Sequence, residues 1–175
     1  MGNAPADQPA NRLAIVSGEE LADYGFGRDH PFAMNRLDVF WSAMAERTLV
    51  DRVATRPPRM ATRGEIELFH DPEYVDLVIE LSERGVGFLD LGDTPVFPGI
   101  YEAAARVVGS TLDAARAVAD GVVQRVFSPI AGLHHARRGR AGGFCVFNDC
   151  GVAAEYLRQR HGLARIAYVD IDAHH

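Results

Sequence analysis

Apolar positions along this chain fall into a few short patterns, separated by polar, glycine and proline punctuation. The run "RLAIVSG" (12–18) has the length and continuity of a buried strand. After Asn35 the spacing changes, and Leu37, Phe40, Trp41 and Met44 recur at helical intervals through residue 47. The stretch "HDPEYVDLVIELSERG" (70–85) predicts a second helix, with Asp71 as cap, Pro72 in the first turn and Gly85 at the stop. "IYEAAARVVGSTLDAARAVADG" (100–121) predicts a long helix whose many small residues suit close packing against a sheet. "VVQRVFSPI" (122–130) reads as a short strand. "NDCGVAAEYLRQRHG" (148–162) reads as a helix capped by Asn148 or Asp149 and stopped by Gly162. "RIAYVDID" (165–172) has the pattern of a last strand.

Residues 1–11 are expected to be a loose tail, and 25–32 and 87–99 to be loops. Helix and strand alternate from residue 12 to 175 with neither repeat nor linker. That order predicts one α/β domain with a mainly parallel sheet flanked by helices.

Composition narrows the function classes. The chain has 175 residues, 47% hydrophobic and 24% charged, with a net charge of −6. Its arginines are scattered apart from Arg137, Arg138 and Arg140, which argues against a nucleic-acid-binding face. Two cysteines, Cys145 and Cys150, form neither a CxxC pattern nor a disulfide framework. The N-terminus lacks the apolar core of a signal peptide and, with Ala6, the myristoylation pattern. No apolar run is long enough to span a membrane, so no membrane partner and a cytoplasmic location are expected.

Candidate chemistry lies in two places. The first is "YVDIDAHH" (168–175). If strand alternation persists there, Asp170, Asp172 and His174 face one way, and Ile171 and His175 the other. Two carboxylates and an imidazole on one face call for a cation. Asp172 and His174 are donors that zinc accepts, and Asp170 suits a supporting role. The same residues read equally as a cap beside solvated histidines.

The second place is "AGLHHARRGRAGGFCVFND" (131–149). Adjacent histidines in extended backbone face apart, so His134 and His135 can take different partners, one oriented by a carboxylate and the other free for proton transfer. Gly142 and Gly143 let backbone pass close to a ligand, and Phe144 offers a flat apolar wall. Cys145 with His135 is an alternative nucleophile and base, provided the thiol pKa is depressed.

Together, "GLHHARRGRAGGFCVFND" and "RIAYVDIDAHH" resemble the histone deacetylase superfamily, in particular its bacterial acetoin-utilization branch with the arginase/deacetylase fold. "YGFGRDHPFAMNR" (24–36), "FHDPEYVDLV" (69–78) and "LGDTPVFPGIYEAAARVVGSTL" (91–112) resemble its N-terminal landmarks in the same order. The resemblance runs from about residue 13 to the end.

The resemblance implies a zinc-dependent deacetylase acting on acetyl-lysine or a small acetylated amine, with another divalent metal able to replace zinc. Asp172 and His174 match the first two metal ligands. His135 matches the general base, and His134 its electrostatic or acid partner held by Asp170. Phe144 and Gly143 match the substrate channel wall, and Asp93 a rim aspartate that meets the substrate backbone. Arg36 matches an arginine of an internal cavity beneath the metal. A structural potassium ion is implied near Asp170, Asp172 and His174.

The family's Gly-Asp-Gly stretch, third ligand and oxyanion-stabilising tyrosine have no counterpart here. The chain therefore reads as the N-terminal part of such a domain, apparently truncated, and is expected to be inactive and aggregation-prone alone. An inactive remnant and an arginase-like ureohydrolase with two manganese ions are the alternative readings.

Overall fold

Strand β1 (Leu13–Val16) forms where the first apolar run predicts it, and its Ala14, Ile15 and Val16 are all buried. The structure is a computed structural model and describes residues 13–27 and 30–174. The tail expected over 1–11 lies outside them, as does His175.

β1 is the middle of a three-stranded parallel sheet. It pairs with β2 (Ala54–Arg56) on one side and β3 (Arg125–Phe127) on the other, Ala14 standing opposite both Ala54 and Val126. Among the described residues, five α-helices follow the order α1 (Arg36–Glu46), α2 (Arg63–Ile66), α3 (Pro72–Arg84), α4 (Ile100–Ala119) and α5 (Asp149–Arg160). Single 3-10 turns sit at Glu19–Asp23 and Val50–Arg52.

α4 is the central helix. Ile100, Ala104, Ala105, Val107, Val108 and Leu112 are completely buried, each large aliphatic stabilising by about 1.5–3 kcal/mol on leaving water. Its small residues work as expected at one point above all. A Cβ on Gly109 would lie 2.3 Å from the Arg59 carbonyl oxygen and 2.4 Å from the Ala61 nitrogen. Only glycine lets the segment over 59–61 lie against the helix, where the Ala61 amide donates to the Ala105 carbonyl at 2.8 Å. Asp113 of α4 takes Arg56 of β2 on one oxygen and Arg116 on the other, each at 2.5 Å. Burial alone would push its carboxyl up, but these guanidinium groups hold it below the usual range.

The helix ends follow local chemistry. Pro72 opens α3 and Gly85 closes it in the left-handed region at φ 67°. Asp71 occupies the cap position, although its side chain makes no capping bond. Asn148, rather than Asp149, caps α5, accepting from the Gly151 amide at 2.7 Å. The short helix α2, unpredicted, carries a full capping box between Thr62 and Glu65.

The last strand expected over 165–172 does not form. Its residues pair with neither sheet edge and are exposed, Val169 at 77% and Ile171 at 94%. Aspartates capture the amides that a ladder would need: Asp170 accepts from the Asp172 amide at 3.0 Å, and Asp172 from the His174 amide at 2.7 Å. This i to i+2 capture competes directly with strand pairing.

Candidate functional site

The loop after β3 carries both histidines, and two neighbours at the start of α5 fix its path. Asp149, fully buried at the start of α5, accepts from the Leu133 amide at 2.7 Å, the Gly132 amide at 3.1 Å and the Thr111 hydroxyl of α4 at 2.7 Å. Asn148 donates its amide to the carbonyls of His134 and Ala136, at 3.1 and 2.9 Å. Two consecutive residues thus hold the loop, one by its amides and the other by its carbonyls.

The histidine rings stand edge to face with centroids 4.1 Å apart. His134 pairs through Nδ1 with Asp170, whose second partners are the Tyr168 hydroxyl and the Asp172 amide. The His134 bond first, then the Asp172 amide, lowers the Asp170 carboxyl to about 2. His135 has its pKa lowered, mainly by burial and next by the charge of His134. It therefore favours the neutral form, able to accept a proton at neutral pH.

Beyond the histidines the chain doubles back. Gly143 adopts φ 50°, and a Cβ there would lie 2.7 Å from the His135 ring, so this glycine is required twice over. Phe144 follows at φ 70°, a strained value for a bulky residue. Its carbonyl accepts from the Tyr24 hydroxyl at 2.7 Å and its amide donates to the Thr94 hydroxyl at 3.1 Å. The ring meets His30 edge-on at 4.5 Å.

These segments enclose an open cavity of about 520 Å³, lined by His134, His135, Gly143, Phe144, Asp93, Arg36, Asp172 and His174 among others. All of the expected site residues are therefore on its wall, save Asp170, which reaches it through His134. Arg36 stands exposed at the start of α1 with its guanidinium 4.4 Å from the Phe32 ring centroid.

Asp172 and His174 bring Oδ1 and Nδ1 within 3.1 Å of each other. A carboxylate oxygen and an imidazole nitrogen side by side suit two corners of a tetrahedral divalent cation. No group of three His, Cys, Asp or Glu that could hold a metal occurs among the described residues. Cys145 does not suit the nucleophile alternative. Burial pushes its thiol up to about 11, and its Sγ donates to the Gly143 carbonyl at 3.4 Å.

Several residues that shape the site carry no local signal. Asp149 looks like a helix cap, while Tyr24, Thr94 and His70 reach it only through contacts far along the chain. His70, 2% exposed, accepts from the Asn148 amide at 2.9 Å through Nε2. Its Nδ1 faces the Arg138 carbonyl at 3.0 Å.

Residues 30–175 match the histone deacetylase domain family. The acetoin utilization protein AcuC of Bacillus subtilis is 37% identical over 159 residues, covering 87% of this chain and 41% of that protein. Histone deacetylase clr6 of Schizosaccharomyces pombe is 30% identical, over 94% of this chain and 42% of its own length. A crystal structure of the HDA15 HD domain superposes with a TM-score of 0.74 at 26% identity, over 82% of this chain and 42% of that one. The chain thus spans less than half the length of the relatives it matches.

Proposed function

Because the chain belongs to the histone deacetylase family, we propose that it contributes the histidine half of an active site that hydrolyses the amide of acetyl-lysine or of a small acetylated amine. The arrangement of His134 and His135 carries this reading. One histidine is held by a carboxylate and the other keeps a lowered pKa, and both face one cavity. That is the division of labour that general acid and base catalysis requires.

In this reading His135 accepts the proton of the attacking water. His134, oriented by Asp170, supplies a proton to the departing amine. Phe144 and Gly143 wall the acyl chain away from solvent, and the exposed Asp93 meets the substrate backbone at the rim. Asp172 and His174 would hold a divalent cation, zinc by their donor types, which when bound would polarise the acetyl carbonyl. A structural potassium ion near Asp170, Asp172 and His174 belongs to the same reading.

Acetate release from an acetyl-lysine peptide, with zinc supplied, tests the reading. His135→Asn is expected to lower kcat by about 10²–10⁴, the usual worth of a positioned base. Wild-type activity matched by the variant would overturn the assignment. No acetate release from peptide or amine would favour the inactive-remnant reading.

A further inference from the structure

Phe144 has both backbone polar groups tied to residues far away in sequence, and one of the ties continues to the cavity rim. The Thr94 side chain is completely buried. Its hydroxyl accepts from the Phe144 amide at 3.1 Å and donates to Asp90 Oδ2 at 2.5 Å. The other oxygen of Asp90 gathers the amides of Gly92, Asp93 and Thr94 at 3.0, 2.8 and 2.8 Å. A single hydroxyl thereby connects the turn that presents Asp93 with the strained residue that forms the cavity wall. Thr94 is the buried member of the chain, and an amide or carboxylate oxygen that loses its partner there is costly. Burial would raise the Asp90 carboxyl, yet the Thr94 hydroxyl and these amides hold it low, consistent with a permanently charged anchor.

We propose that Thr94 is a positioning residue that fixes the distance between the rim carboxylate of Asp93 and the Phe144 wall, and so favours acetylated peptides over small acetylated amines. A peptide would touch both the rim and the wall, and it gains only if the two are held in register. A small amine enters beside Phe144 and has no backbone to offer Asp93. Losing the hydroxyl leaves the Phe144 amide unpaired and lets the strained wall relax, and that relaxation penalises the peptide more.

The proposal rests on the deacetylase reading for its substrates but not for its geometry, and the test separates the two. Thr94→Val removes the hydroxyl at constant shape, and Thr94→Ser keeps it. The ratio of kcat/KM for an acetyl-lysine peptide to that for monoacetylated 1,4-diaminobutane is expected to fall about tenfold in Thr94→Val, the worth of one hydrogen bond. Amide hydrogen exchange at Phe144 is expected to rise by at least about tenfold for the same reason. Thr94→Ser should restore both. If Thr94→Val does not fold, Asp90→Asn is read in its place.

Equal loss for the two substrates, unchanged exchange at Phe144, or a Ser variant as impaired as the Val variant would each overturn the proposal. If the wild-type protein hydrolyses neither substrate, the deacetylase reading fails. Exchange at Phe144 then still decides the link, supporting it if protected in wild type and Thr94→Ser alone, and refuting it otherwise.

Discussion

At the scale of single residues, the site depends on groups whose protonation and size are narrowly set. His70 receives an amide proton on Nε2, so protonation would place two donors face to face. Burial, first of all, lowers its pKa to about 4. A histidine depressed in the fold contributes stability that is complete above its unfolded value near 6.5, and this is lost as pH falls toward 4. The loss should reach roughly 3 kcal/mol, from about 1.4 kcal/mol per pH unit. Urea denaturation from pH 7 to 4 should show this slope in wild type, and His70→Gln should flatten it. Gly143 gives a second expectation. Gly143→Ala meets the His135 ring and a left-handed φ together, and should cost about 1–3 kcal/mol. The urea midpoint measures the cost, and kcat should fall along with it if His135 is the base proposed above.

At the scale of elements, α4 is only as close to the 59–61 segment as Gly109 allows. Gly109→Ala normally helps a helix by about 0.5–1 kcal/mol. Here it forces backbone apart and should lower the melting temperature by several degrees, since 1 kcal/mol moves a domain of this size by about 2–8 °C. A higher melting temperature would show that the segment yields. This scale also shows what periodicity can and cannot reveal. α3 and α4 were readable as long amphipathic runs, and α5 from the asparagine that opens it and the glycine that follows it. β2 was not, since a three-residue strand such as "ATR" has no period to detect. The strand expected over 165–172 had the right alternation, but its aspartates bind their own backbone instead. In the site, the histidine pair, Gly143–Phe144 and Asp172–His174 were visible as local motifs. Asp149, Thr94 and Tyr24 were not, because their work is a hydrogen bond to a distant segment.

At the scale of the whole molecule, residues 163–171 present Leu163, Ile166, Tyr168, Val169 and Ile171 to solvent next to α5. So many exposed apolar side chains within nine residues promote association. The protein should bind a hydrophobic dye and self-associate with rising concentration. The double variant Val169→Ser, Ile171→Ser should reduce both, as read by dye fluorescence and light scattering. Unchanged scattering would place the sticky surface elsewhere.

The first turn of α5 holds the histidine loop from two directions, and Thr111 of α4 holds Asp149 in turn. The loop is therefore less a free connection than a load hung from the junction of two helices. Its thermal excursions should follow that junction, so warming would free the histidine pair when the first turn of α5 frays, well before the sheet comes apart.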